Sequence, residues 1–300
     1  MFEENAYICS RVLCEIMTGT SRSPPTVTHV IPGESGVYAV TSLDDHVYAV
    51  RNSKKEVEVY EAVTLTLERR LPVPGISSSA SDIAACSRNK CLYLSDWSNP
   101  SIHRVDLATG AGKKWAVAKK PEGLSVNREY NVLVACLDDN KLQEYTTAGR
   151  LVREICLQAG LSSPWHVIQL STGDFVVSHY RSPGVVSVVG VDGRLLRSYE
   201  PSSSSDVGPM NGPASLSVIK HGNILVADQG NNRILAINSS LTRAQVFPLP
   251  DDVGLQRPCA LYLDDTRDRL YVGESGGKNR VIVLNNARYI SWQLSNLSHT

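Results

Sequence analysis

The sequence is short of the features that most readily declare a function. Thirty basic residues balance thirty acidic ones, so no net field draws nucleic acid or an anionic membrane to the chain as a whole. No apolar run approaches the ~20 residues that span a bilayer. The acidic start, Met1-Phe-Glu-Glu-Asn-Ala-Tyr, lacks the basic residues and long apolar stretch of a signal peptide. There is no Gly-x-Ser-x-Gly, no phosphate-binding loop, no dinucleotide fingerprint, and no Cys/His cluster with zinc-ligand spacing. The seven cysteines are odd in number and spread through strands, which fits reduced thiols in a cytoplasmic protein. No cofactor and no membrane contact are expected.

What the sequence does contain is one phrase repeated six times. An apolar strand and a tight turn lead into a second strand that ends on a small and then a polar residue. These second strands read His46-Val-Tyr-Ala-Val-Arg51, Cys91-Leu-Tyr-Leu-Ser-Asp96, Asn131-Val-Leu-Val-Ala-Cys136, Asp174-Phe-Val-Val-Ser-His179, Asn223-Ile-Leu-Val-Ala-Asp228 and Arg269-Leu-Tyr-Val-Gly-Glu274. The first strands begin at Glu34-Ser-Gly-Val, Ala80-Ser-Asp-Ile, Pro121-Glu-Gly-Leu, Pro164-Trp-His-Val, Pro213-Ala-Ser-Leu and Pro258-Cys-Ala-Leu. A period of roughly 40–50 residues with strand-only content is that of β-propeller blades, and helical repeats would show a 3.6-residue periodicity that is missing. The expected fold is all-β: a monomeric six-bladed β-propeller with four antiparallel strands per blade, over residues 33–300. Residues 1–32 form an N-terminal extension, with 4–17 readable as a short helix and Thr26–Ile31 as a strand that latches the ring beside the last blade. Residues 288–294 read as that blade's outer strand, and 202–212 as a flexible excursion between the fourth and fifth blades. Tyr48, Tyr93, Tyr271 and Phe175 alternate with aliphatics and read as core between blades.

The ends of the second strands carry charges that have partners on the third. Asp228 is followed by Arg233, Glu274 by Arg280, and the first blade reverses the signs with Arg51 and Glu56. Around a short turn such residues come within carboxylate–guanidinium reach, and their recurrence reads as a structural lock of each hairpin. Here the chain resembles a known family. Ala227-Asp-Gln-Gly-Asn-Asn-Arg-Ile234, preceded by Pro213 and Gly222-Asn-Ile-Leu-Val, looks like the NHL repeat. Gly273-Glu-Ser-Gly-Gly-Lys-Asn-Arg-Val281 is a second good copy, and Ser95-Asp-Trp-Ser-Asn-Pro-Ser-Ile102 a partial one lacking the arginine. The resemblance implies a six-bladed propeller used for protein binding, and in some members for RNA. It is best known at the C-terminus of tripartite-motif ubiquitin ligases, whose RING and B-box zinc patterns are missing from this sequence.

Function is to be sought where the copies disagree. At the starts of the inner strands, facing the central channel, stand Ser35-Gly36, Ser81-Asp82, Glu122-Gly123, Trp165-His166, Ala214-Ser215 and Cys259-Ala260. Asp82, Glu122, Trp165 and His166, with His179 at a neighbouring strand end, form the candidate binding group, and no catalytic residue is assigned. The leading expectation is a non-enzymatic scaffold that binds a protein partner, Trp165 serving as anchor. Two alternatives stay open. An RNA-binding propeller would use the lysines around Trp115, namely Lys113, Lys114, Lys119 and Lys120. A metal-dependent hydrolase or lyase would bring Asp82, Glu122 and His166 within about 5 Å of a common point; a ring so thin in ligands leads us to assign no metal. Cys86 and Cys91 flank one hairpin and read as two small apolar residues rather than a disulfide.

Overall fold

The computed structural model describes residues 23–219 and 222–289. Within them the chain forms strands almost exclusively, as the alternation of β-branched and aromatic residues demands. The first blade is β2 (Val37–Leu43), β3 (His46–Arg51), β4 (Glu56–Glu61) and β5 (Leu67–Pro72). The second is β6 (Ile83–Cys86), β7 (Cys91–Asp96), β8 (Ser101–Asp106) and β9 (Gly112–Ala116). The third is β10 (Pro121–Val126), β11 (Val132–Cys136), β12 (Lys141–Tyr145) and β13 (Leu151–Cys156). The fourth is β14 (Pro164–Gln169), β15 (Phe175–His179), β16 (Val185–Val189) and β17 (Leu195–Tyr199). The fifth is β18 (Pro213–Val218), β19 (Ile224–Asp228), β20 (Arg233–Ile237) and β21 (Ala244–Val246).

The last blade takes three strands from one end of the chain, β22 (Pro258–Asp264), β23 (Arg269–Glu274) and β24 (Val281–Asn285), and its fourth from the other, β1 (Thr26–Ile31). β1 runs antiparallel to β24 from Thr26↔Asn285 to Ile31↔Val281. With that edge taken, the chain leaves β24 through a turn at Ala287 and Arg288, so no outer strand starts at Arg288. The rest of that expected strand, and the expected helix at 4–17, lie outside the described residues. The innermost strands touch one another in the cyclic order β2, β6, β10, β14, β18, β22 and back to β2, which makes a closed six-bladed propeller.

The spaces between blades hold the core. Tyr93, Tyr271 and Phe175 are fully buried and Tyr48 nearly so, each in the second strand of its blade. Cys86 and Cys91 face each other across the β6–β7 hairpin as buried free thiols. The 202–212 connection is not an excursion. Met210 is 1% exposed and bridges to Gly184, and Arg233 donates to the carbonyls of Val207 and Pro209.

Each second strand ends in a side chain buried at the rim of the ring, and its partners explain the charge pattern. Asp228 meets Arg233, and Glu274 meets Arg280, both at 2.7 Å. Arg51 and Glu56 do not pair. They stand opposite in register, but Arg51 reaches the diagonal residue Glu58, while Glu56 turns outward to Arg70 on β5. The same diagonal serves three more blades: His103 lies 3.5 Å from Asp96, Gln143 contacts the thiol of Cys136, and Ser187 hydrogen-bonds to His179 at 2.8 Å. The other side of the buried group clamps the loop that leads into its own blade. Asp96 accepts from the Ser77 N–H, Asp228 from Asn211 and Glu274 from Gln256. His179 donates to the Ser162 carbonyl, and Arg51 donates to the carbonyls of Pro32 and Ser35 and, across the ring closure, to Asn279. Gly33 is required there, because a Cβ would lie 1.9 Å from the Arg51 guanidinium. Arg51→Met removes every one of these bonds and leaves Glu58, only 13% exposed, with the Tyr60 hydroxyl and a 3.7 Å approach of Arg70 in place of its buried guanidinium partner. Loss of one partner of such a pair costs about 3–5 kcal/mol, so the urea midpoint is expected to fall steeply; an unchanged midpoint would refute the closing role.

Candidate functional site

The inner strands open on one face of the ring, and the loops that deliver them are strained. Lys120, Ser163 and Arg257, each just before a proline, have φ of 48°, 56° and 49°, and the equivalent fifth-blade residue is Gly212 at 61°. Left-handed backbone is easy for glycine and disfavoured for the other three, and the clamps described above hold the fourth- and sixth-blade turns in place. A register shift follows in five of the blades, between Val37 and Ala39, Pro121 and Leu124, Pro164 and His166, Pro213 and Leu216, and Pro258 and Ala260. Successive residues there serve different levels of the ring. The first level forms the mouth and the second lines the channel.

The mouth level gathers Tyr38, Ser81, Glu122, Trp165 and Cys259 from the inner strands, together with Trp97, Leu137, Tyr180, Gln229 and Ser275, which directly follow the second strands. They enclose a cavity of about 460 Å³, with Lys120 and Arg257 also on its wall. Trp165 stacks on Tyr180 with ring centroids 4.3 Å apart. The Tyr180 hydroxyl donates to Gln229 at 2.6 Å, Gln229 donates to Ser275 at 3.3 Å, and Ser275 donates to the Arg257 carbonyl at 3.2 Å. Three adjacent blades thus hold one wall rigid. Beside that wall, on the third blade, lies Glu122, 9% exposed. Burial pushes its carboxyl up to about 7; the hydrogen bond from Ser81 opposes the shift and the charge of Asp82 adds to it.

Tyr38 was not legible as a mouth residue. The sequence placed Ser35-Gly36 at the channel, whereas Val37 is the residue that pairs with Arg51, as Pro164 pairs with His179. The missing proline hid the register. Spacing back from the second-strand end, 15 or 16 residues in the third to sixth blades, points to Gly36 or Ser35; Val37 is 14 back, so the shorter first-blade hairpin hid it as well.

The channel level holds Asp82 and His166 in a second cavity of about 330 Å³, with Thr41, Ser125, Ser215 and Ser217 among its walls. His166 Nε2 lies 3.4 Å from Asp82 Oδ2. The third blade permits this approach only because residue 123 is glycine: a Cβ would stand 2.4 Å from the Trp165 carbonyl oxygen and 2.6 Å from the His166 Cα. Asp82 accepts from the N–H of Leu124 at 2.7 Å and of Ile83 at 2.8 Å, stapling the second blade to the third. Its remaining 17% side-chain exposure opens onto the narrow channel. Burial raises Asp82 to about 7 against those two hydrogen bonds, and lowers His166 to about 4, so the pair is an acid beside a neutral imidazole.

The five candidates therefore separate. Glu122 and Trp165 share the mouth, Asp82 and His166 share the channel, and His179 is a buried clamp, 1% exposed. Among the described residues no three His, Cys, Asp or Glu side chains gather as a metal site. Trp115 does not offer a stacking face for RNA, since it packs between Tyr93 and Tyr145, about 6.1 Å from each ring.

No family model and no curated protein matches the chain. Solved structures match its fold. Selenomethionine-substituted virginiamycin B lyase from Staphylococcus aureus has a TM-score of 0.65 at 12% identity, over 87% of this chain and 99% of that one. A streptogramin B lyase has a TM-score of 0.63 at 13% identity, over 87% and 97%. Kuenenia stuttgartiensis hydrazine synthase has a TM-score of 0.65 at 16% identity, over 87% and 80%. At such identities the likeness is one of fold, the six-bladed propeller.

The titrations of the channel pair offset each other. Asp82 is raised, so its contribution to stability is full below its ordinary value of 3.8 and is lost as pH climbs to about 7. His166 is lowered, so its contribution is full above 6.5 and is lost as pH falls to about 4. In Asp82→Asn only the histidine remains. The variant is expected to gain on the wild type as pH rises from 4 to 7, by up to ~1.4 kcal/mol per pH unit. Urea midpoints across that range test this; a difference between variant and wild type that stays constant from pH 4 to 7 would refute the raised Asp82.

Proposed function

We propose that this propeller is a non-enzymatic binding module that docks a protein partner on its mouth face. The observation that carries the reading is the preformed, aromatic cavity at the mouth. Tyr38, Trp97, Trp165 and Tyr180 line it, and Trp97 is 45% exposed. Rigid aromatic walls with a few buried polar groups suit one anchor side chain, and the surrounding loops supply a preorganised rim. The two good NHL-like copies, in the fifth and sixth blades, support the same use, since NHL propellers bind proteins. Free thiols facing each other at Cys86 and Cys91 accord with a reducing cytoplasm.

A second reading has two supports. Glu122 near 7 is poised for proton transfer, and the fold neighbours include lyases of virginiamycin B and streptogramin B. Incubation of the chain with virginiamycin B, followed by mass spectrometry, separates the two. Turnover that Glu122→Gln abolishes would make it an enzyme.

For the binding reading, Trp165→Ala removes the anchor wall. With a partner purified to homogeneity, its Kd is expected to rise about 30-fold or more, the scale of a central aromatic contact. Val246→Ala, on the outer edge of the fifth blade, is expected to leave binding unaltered. Equal affinities for the wild type and Trp165→Ala would sink the assignment of the mouth.

A further inference from the structure

The mouth contains a carboxylate that forms no direct ion pair among the described residues. Glu122 is nine-tenths buried, and among the described residues no lysine, arginine or histidine forms an ion pair with it. Lys120 lies two residues away but is taken by Asp138 at 3.1 Å. Asp82, the nearest acid, is one level down the channel. An ionised carboxylate in that position is under-compensated: it has lost water and gained the Ser81 hydroxyl and the charge of Lys120, with no ion pair of its own among the described residues. The cavity around it is walled by Trp165, Tyr180, Tyr38 and Trp97, whose π faces attract a cation. Arg257 enters from the sixth blade. That is three blades from Glu122, hence on the far side of a six-bladed ring. It forms no ion pair among the described residues.

We infer that the mouth pocket selects a basic side chain of the partner, a lysine or arginine whose charged head meets Glu122 while its stem lies along Trp165 and Tyr180. Arg257 sets polarity across the same opening: it repels a second cation and receives an acidic group of the same segment. The ligand class is thus a peptide segment with a basic anchor flanked by an acidic residue. A ligand cation offsets part of the cost of burying Glu122 while giving up its own hydration, so the contact acts chiefly as a discriminator: a segment without the cation leaves the buried carboxylate uncompensated.

This rests on the binding-module reading, and one experiment distinguishes the two. A randomised peptide library is displayed on phage and selected on the immobilised full chain, on Glu122→Gln and on Trp165→Ala. The wild type is expected to enrich peptides sharing a lysine or arginine at one position, with an aspartate or glutamate nearby. Glu122→Gln is expected to lose that enrichment. A synthetic peptide of the enriched sequence should bind Glu122→Gln at least 10-fold more weakly than the wild type. Exchanging its basic residue for norleucine should cost as much on the wild type and nothing further on Glu122→Gln. Glutamine keeps the shape of glutamate, and circular dichroism melting verifies that the variant folds. Enrichment without a basic position, or affinity indifferent to Glu122→Gln, overturns the inference and leaves the binding module standing, provided that Trp165→Ala still abolishes selection. No enrichment on the wild type overturns both.

Discussion

A polar group carried into the inner end of every blade must be satisfied away from water, and the propeller is organised around that requirement. The six second strands end in Arg51, Asp96, Cys136, His179, Asp228 and Glu274, all buried. Unpaired, most would cost several kcal/mol. Each is matched by a residue of the third strand or, for Glu274, the residue just before it, and five of the six also hold the backbone of the loop leading into their own blade. The sign of the charge follows from what the loop presents. Where it offers N–H groups the strand ends in a carboxylate, and where it offers carbonyls the strand ends in arginine or histidine. The apparent sign reversal in the first blade is therefore a change in loop geometry as much as an exchange of partners.

This frame gives the mouth its rigidity. Clamped loops carry left-handed residues before the prolines, and the irregular first steps of the inner strands then alternate side chains between two levels. Trp165 and His166 are neighbours in sequence yet serve different cavities. The channel level binds blades to one another through Asp82, Ser95 and Ser178, each hydrogen-bonded to the backbone of the next blade. The mouth level is left with aromatic rings, one buried carboxylate, Lys120 and Arg257, and those are among the groups open to a ligand.

Much of the architecture was legible because it repeats. Strand alternation, turn glycines and the polar strand ends gave blade number and most strand positions. Two errors have the same origin. Glu56 looked like the partner of Arg51 because it faces it in register, but side chains on one strand face lie two residues apart, and the long arginine reaches Glu58. Tyr38 was passed over because the first blade has Val37 where others have proline. The residues after the second strands, Trp97, Tyr180 and Gln229, differ from blade to blade, and only the closed ring brings them together. Convergence of unlike residues from different blades has no local signature.

The joining of β1 to β24 has a consequence for how the protein comes into being. Thr28 bonds to the Val283 carbonyl 255 positions along the chain. During synthesis from the N-terminus, β1 emerges long before the strand it pairs with, and the ring stays open until the last blade leaves the ribosome. Throughout that interval the apolar faces later shared by the first and last blades have no cover. The seam, with Arg51 bonded across it, is thus the last part of the molecule to acquire its contacts and the place where a nascent chain most needs protection from its neighbours.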